Sequence, residues 1–173
     1  MITEAVVLLN ADYQPLNVIS FQRALKLLYK KRIEVVAYSQ RFFYSAEGKT
    51  KIYVPKLVRL LKFIVTIYRT KVPYSKRNVF LRDNYECAYC SKKVEKPTID
   101  HVVPKAMGGK SDFANTVTSC VQCNAQKDNR TPESAGMALK KRPHAPSVVG
   151  FIFQKIKHLG LDKVVEEYVN VKV

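Results

Sequence analysis

Two Cys-x-x-Cys pairs, Cys87/Cys90 and Cys120/Cys123, hold every cysteine of this 173-residue chain. Two vicinal pairs supply the four soft thiolates that a tetrahedral zinc takes, two corners from each knuckle. A fold that satisfies them must close residues 87–123 around one point. The 29 residues between the pairs (91–119) exceed the connection of a plain four-cysteine ribbon, so the gap has room for structure of its own. The surrounding sequence favours metal over disulfides. Residues 5–9 are apolar but short, follow Glu4 and lack a basic leader, and the longest apolar region, 57–68, is interrupted by Arg59 and Lys62. Neither reads as a secretory or membrane-spanning segment. A cytoplasmic address follows as the expectation, and in reducing cytosol such pairs are metal ligands. Local disulfides or idle thiols are the competing assignment.

Charge sets the second constraint. Lys and Arg number 30 against 14 Asp and Glu, a formal net charge of +16. A polyanion is the expected partner, and nucleic acid is the commonest. An anionic membrane surface would call for a long basic amphipathic helix with a bulky apolar face, which the sequence lacks. At 47% apolar residues the chain is expected to fold, as one domain or two small ones.

Residues 1–75 read as a small α+β region. The run at 5–9 suits a buried strand, 16–19 a second one, and Ser20 an N-cap for a helix through residues 23–29. Ala24, Leu25, Leu27 and Leu28 would face inward. Residues 33–38 form a β-branched, aromatic strand, and 41–44 with 51–54 a hairpin turning at residues 46–49. After Pro55 the sequence is ambiguous, with Leu57, Leu60, Leu61 and Ile64 at helical spacing but 64–68 strand-like. The expectation is a helix first and a strand after. The tyrosines and cations of this region suit either a nucleic-acid face or an ordinary solvated surface.

Residues 76–133 form the central region. A helix over 75–82, capped by Ser75, would carry Lys76, Arg77 and Arg82 toward the metal knuckles as phosphate contacts. Thr98-Ile-Asp-His-Val-Val103 alternates like a short strand, which turns Asp100 and His101 to opposite faces. Pro104 ends it, Gly108-Gly109 gives a flexible loop, residues 116–118 return as an extended segment, and a helix begins at Cys123. Two strands and a helix around a divalent ion make a ββα-metal arrangement.

These residues resemble the HNH endonuclease family, in its four-cysteine branch: DHVVP, then GG, then Asn115, then CNxxK and a terminal NR. The likeness extends over residues 78–133. The leader VLLNADYQPLNVISFQRALKLLYKKRIEVV and the trailing TPESAGMALKKRPHAPS also look like segments of bacterial and phage HNH proteins. In the family's pattern His101 matches the first His and Asn115 the central Asn. Asn124 stands where some members carry a His, a substitution the family itself uses. The resemblance implies an α+β fold with a ββα-metal (His-Me finger) HNH core and a structural zinc held by the four cysteines. It further implies that His101 activates a water, its ordinary pKa near about 6.5 suiting it to the task. Asp100 and Asn124 would hold Mg²⁺ or Mn²⁺ through hard oxygen ligands. Asn115 would fix the loop behind His101, and the products would carry 5′-phosphate and 3′-hydroxyl ends. Lys76, Arg77, Arg82, Lys105, Lys127 and Arg130 are the expected nucleic-acid contacts. A simpler role stands beside one ligand assignment, since Asn124 also suits a helix N-cap.

Residues 134–173 read as a basic linker, 140–146, followed by helices at 148–159 and 161–169, with a helix start at Thr131-Pro132. His144 and His158 fall outside the motif and read as surface or packing residues. The expected substrate is DNA, with RNA as an alternative, and a homodimer would let two single sites cut both strands. A non-catalytic zinc module gripping DNA or RNA is the rival reading. The Asp100, His101, Asn115 and Asn124 set at these spacings argues against it.

Overall fold

A computed structural model describes residues 4–65 and 71–169. The chain is α+β and divides into two compact units, Met1–Thr70 with Val148–Val173, and Lys71–Ser147.

The first unit is a four-stranded sheet in the order β2-β1-β4-β3, made of β1 (Ala5–Leu9), β2 (Pro15–Ser20), β3 (Ile33–Tyr44) and β4 (Lys51–Leu60). β1 and β4 pair in parallel, and the other neighbours are antiparallel. The unbroken apolar run of β1 is explained by cover on both faces. Val6 packs with Ile19, Ile33, Val58 and Ala24 of α1 (Phe21–Tyr29), whereas Val7 and Leu9 pack with Ala37 and Leu57. That second face is closed by Ile152 and Ile156 of α4 (Val148–His158), by Leu161, and by Val165 of α5 (Asp162–Val169). The C-terminal helices thus complete the core of the N-terminal sheet. Ser20 caps α1 by accepting from the Arg23 N–H at 3.3 Å. In α5, Val165 is buried and Val164 half-buried, whereas Tyr168 is exposed.

The helix expected after Pro55 is not formed. Residues 57–60 continue β4, and their alternation sends Leu57 to one core and Val58 to the other. Helical spacing of the leucines misled because a strand buried on both faces also reads as a nearly continuous apolar run. Pro55 is tolerated within β4 because it lies beyond the stretch paired with β1 and faces Tyr38 of β3 at a shift in register. Ile64 is in neither element, its N–H donating to Asn10 Oδ1 at 3.0 Å. The remainder of the strand expected at 64–68 lies outside the described residues, apart from Val65.

The second unit begins with α2 (Lys76–Arg82), capped by Ser75, which accepts from Asn78 N at 3.2 Å. Next come β5 (Thr98–His101), a 3-10 turn (Lys105–Met107), β6 (Thr116–Ser119) and α3 (Val121–Lys127). β5 and β6 pair antiparallel with Asp100 opposite Val117 and His101 opposite Thr116. Residues 131–136 form turns, and the helix start expected at Thr131 is absent. Those turns lay Met137 and Leu139 against Cys87, Ala88, Tyr89 and Val117, and Lys140 N donates to Ala88 O at 2.9 Å. Apolar contact with the knuckle outweighs local helix signals in so short a stretch.

Candidate active site and zinc centre

The four cysteine sulfurs lie within 4.8 Å of one another. A tetrahedral zinc with Zn–S bonds of about 2.3 Å requires S···S separations of about 3.8 Å, which this cluster meets with small adjustments. The first knuckle turns tightly, with Ser91 N donating to Cys87 O and Cys87 N to Lys92 O, both at 2.9 Å, and Ser91 at φ +61°. The second knuckle is the start of α3, where the Cys120 sulfur caps the helix by accepting from Cys123 N at 3.4 Å. Burial pushes the Cys87 thiol up, but the backbone N–H groups of Cys90, Cys120 and Tyr89 more than offset it and bring it down to about 6. Burial and the neighbouring sulfurs push the Cys123 thiol the other way. Four thiols packed this closely cannot all ionise without a cation to share. The donor set therefore fits zinc.

Alternation along β5 separates Asp100 from His101. Asp100 points inward and is 5% exposed. Its Oδ2 accepts from the Tyr89 hydroxyl, and its Oδ1 accepts from Lys127 Nζ at 3.0 Å. Burial first, then the hydrogen bond to Asp100, pushes the Tyr89 hydroxyl pKa up, which keeps it a donor. Lys127 also donates to the His101 carbonyl at 2.8 Å. His101 faces the other way, into an open cleft of about 600 Å³ lined by Tyr74, Lys76, Phe80, Ile99, Lys105 and Ser111 among others. Its Nε2 stands 2.9 Å from the Ser111 hydroxyl oxygen. Partial burial, then the positive charge of Lys105, holds the imidazole below its ordinary pKa of 6.5, with Asp100 opposing and Lys127 reinforcing.

The loop between the strands is held by one side chain. Asn115 Oδ1 accepts from Val103 N at 2.8 Å, and its Nδ2 donates to the carbonyls of Val103 and Lys110, each at 3.0 Å. The two glycines of this loop answer different demands. Gly108 ends the 3-10 turn at φ +84°, and a Cβ on Gly109 would lie 1.8 Å from Val103 O and 2.7 Å from Asn115 Nδ2. Asn124 occupies the second turn's start in α3, half-buried, with its N–H donating to Cys120 O at 3.0 Å.

Residues 87–140 match the family model described as HNH endonuclease, and residues 6–68 match HNH endonuclease-associated, N-terminal domain. The chain belongs to the HNH endonuclease family. No curated protein and no solved structure matches it. The fold agrees with this assignment, since β5, β6 and α3 follow one another as a ββα unit and the second cysteine pair of the sulfur cluster opens α3.

The HNH unit brings Asp100, His101 and Asn115 into one strand–loop assembly, but two residues expected at nucleic acid are elsewhere. Arg82 is buried: its guanidinium donates to both Asp83 oxygens (2.7 and 3.0 Å) and to the carbonyls of Phe113, Thr116 and His144 (2.8–2.9 Å). Asp83 in turn accepts from Thr118 N at 2.8 Å. This is an internal brace between α2 and β6, and a side chain so engaged has no donor left for a phosphate. Lys127 is likewise buried under β5. Lys76, Arg77, Lys105 and Arg130 are exposed, with Lys76 and Lys105 lining the His101 cleft. Sequence reading missed Tyr89, Ser111 and Asp83. The only signal for Tyr89 was an aromatic hydroxyl set between two thiolates; Ser111 and Asp83 carried none that local pattern could reveal.

Proposed function

We propose that this chain is a metal-dependent endonuclease that hydrolyses phosphodiester bonds in DNA, with His101 as the general base. The observation that carries the reading is the opposed placement of neighbours. His101 opens onto a cationic cleft while Asp100 is held rigidly on the inner side of the same strand. The imidazole, kept neutral by partial burial and nearby cations, takes a proton from a water at the cleft. Ser111 and the His101 carbonyl contact to Lys127 limit the motion of ring and backbone. Lys76 and Lys105 attract and hold the substrate phosphate beside that water. Asn115 acts as a positioning residue, fixing the Val103–Lys110 loop that follows the base.

Asp100 and Asn124 are the residues that would hold a divalent ion. Their oxygen donors suit Mg²⁺ or Mn²⁺, and each Asp100 oxygen accepts only one hydrogen bond and retains a second lone pair. Asp100 is turned inward against Tyr89 and Lys127, so holding an ion would require its carboxylate to give up the Lys127 contact and face the cleft. An ion held there would neutralise charge at phosphorus and assist the leaving 3′-oxygen. The zinc cluster stabilises the scaffold and stands apart from the reaction.

The test is incubation of zinc-loaded protein with supercoiled plasmid in Mg²⁺ or Mn²⁺, beside His101→Ala. Nicking or linearisation that disappears in the variant is expected. Plasmid binding without cutting in either metal would turn the reading to a zinc-dependent binding module, and cutting of RNA alone would change the substrate.

A further inference from the structure

The outer half of the β3–β4 hairpin carries an uncovered row of aromatic rings. Tyr38, Tyr53, Phe42 and Tyr44 touch in that order, with centroid separations of 6.4, 5.7 and 5.5 Å. Phe42 lies opposite Tyr53, and Tyr44 opposite Lys51, so these side chains share one face of the ladder. All four rings are exposed, from 38% to 59%. On the opposite face of the same segment Phe43, itself exposed, stacks on Phe21 at 5.6 Å. Four rings in mutual contact and open to water form an apolar patch that a protein surface rarely keeps without a partner.

The charges around the row select that partner. Residues 38–56 contain Arg41, Lys49, Lys51 and Lys56 against one acidic residue, Glu47. Arg41 is paired with Glu4 at 2.8 Å, but Lys49 and Lys51 are exposed, and the Lys51 ammonium lies 4.6 Å from the Phe42 centroid. A second copy of this chain docked on the row would set these cations against their equivalents. An anionic ligand with flat apolar faces satisfies both features. In duplex DNA those faces are covered by neighbouring bases, whereas an unpaired strand offers them. We propose that this hairpin face binds single-stranded nucleic acid, with bases stacking on Tyr38, Tyr53 and Tyr44 and phosphates meeting Lys49 and Lys51. The hairpin belongs to the first unit and the His101 cleft to the second, and the inference does not depend on the nuclease reading.

The test is fluorescence anisotropy with full-length, zinc-loaded protein and no added Mg²⁺ or Mn²⁺, using labelled oligo-dT, oligo-rU and a DNA duplex. Tyr38→Ala/Tyr44→Ala/Tyr53→Ala is expected to weaken single-strand binding by at least about tenfold, given the usual cost of losing base stacking. The corresponding Tyr→Phe triple variant should bind like the parent. The chain has no tryptophan and ten tyrosines, so the fraction of tyrosine emission quenched by the oligonucleotide should be smaller in the alanine variant than in the parent. Comparing dT with rU assigns the sugar. Should the alanine variant misfold by circular dichroism, Lys49→Glu/Lys51→Glu with intact rings provides the second arm, expected to weaken binding and flatten its salt dependence. Unchanged single-strand affinity in a folded alanine variant overturns the proposal. So does a dimer that the alanine variant splits without loss of binding. His101→Ala should leave single-strand binding intact, which keeps failure here distinct from failure of the nuclease reading.

Discussion

The ammonium of Lys127 sits 3.0 Å from Asp100 Oδ1 and 2.8 Å from the His101 carbonyl, on a side chain that is 1% exposed. The last turn of α3 therefore reaches back under β5 and grips both residues of the Asp-His pair from below. Removing one partner of such a buried pair leaves the other charge uncompensated, at a cost of about 3–5 kcal/mol. Lys127→Met, close in volume, should lower the thermal midpoint sharply because Asp100 would keep only the Tyr89 hydroxyl. A loss under about 1 kcal/mol in chemical denaturation would show that the pair is not what holds α3 to β5.

Two cations on one short helix should behave in opposite ways. Arg82 donates to an aspartate and three backbone carbonyls, and Arg82→Ala orphans all of them. Arg82→Lys cannot reproduce the fork and should also destabilise, with little change in the salt dependence of DNA binding by the folded fraction. Lys76→Ala should leave stability within about 0.5 kcal/mol, yet weaken DNA binding and reduce its salt slope by about one. Titrations at several salt concentrations, beside melting curves, separate the two. Equal loss of stability in both variants would contradict the burial difference.

The contrast shows what the sequence makes legible. Cysteine spacing located the cluster, and period-two alternation at residues 98–103 put Asp100 and His101 on opposite faces as the structure has them. Caps at Ser20 and Ser75 were readable because a hydroxyl before a helix acts locally. Burial of Arg82 and Lys127 was not, since both sit at helical positions that a solvent-facing cation would also occupy. Only the tertiary partners, Asp83 and Asp100, decide the matter. The same reason hid the strand at 57–60 and the docking of α4 and α5, whose apolar faces reveal burial but not the element buried against. The aromatic row on β3–β4 was visible as composition, but its common face depends on a register shifted between Tyr38 and Phe42.

The glycine pair in the loop after β5 should separate two kinds of strain. Gly108→Ala meets no atom within 4 Å and pays only for its left-handed backbone, about 1 kcal/mol. Gly109→Ala drives a methyl to 1.8 Å from the Val103 carbonyl and against the Asn115 amide. That backbone contact cannot be relieved by a rotamer, so the loop must open. Gly109→Ala should cut cleavage far more than Gly108→Ala, while the sulfur cluster still binds metal, as Co²⁺ substitution and its absorption would report. Equal activity in both variants would show that the Asn115 clamp is dispensable.

The pH dependence of cleavage follows from the surroundings of His101. Burial, then Lys105, lowers its pKa below the ordinary 6.5, with Lys127 adding and Asp100 opposing. The neutral ring is the one that accepts a proton, so kcat/KM should be level near neutrality and fall only as pH drops through that lowered value. Stability moves in the same direction. The unfolded chain binds its proton near 6.5 and the folded chain at lower pH, so protonation favours unfolding within that interval. Lys105→Gln removes one of the lowering charges and should shift the acidic limb toward higher pH, while lowering the kcat/KM plateau through the lost phosphate contact. A cation held at Asp100 would lower the imidazole further and leave the sign intact. The measurement is a pH–rate profile of the parent and Lys105→Gln at saturating metal. An acidic limb lying above 6.5 in the parent, or one that moves to lower pH in Lys105→Gln, would remove His101 from the role of general base.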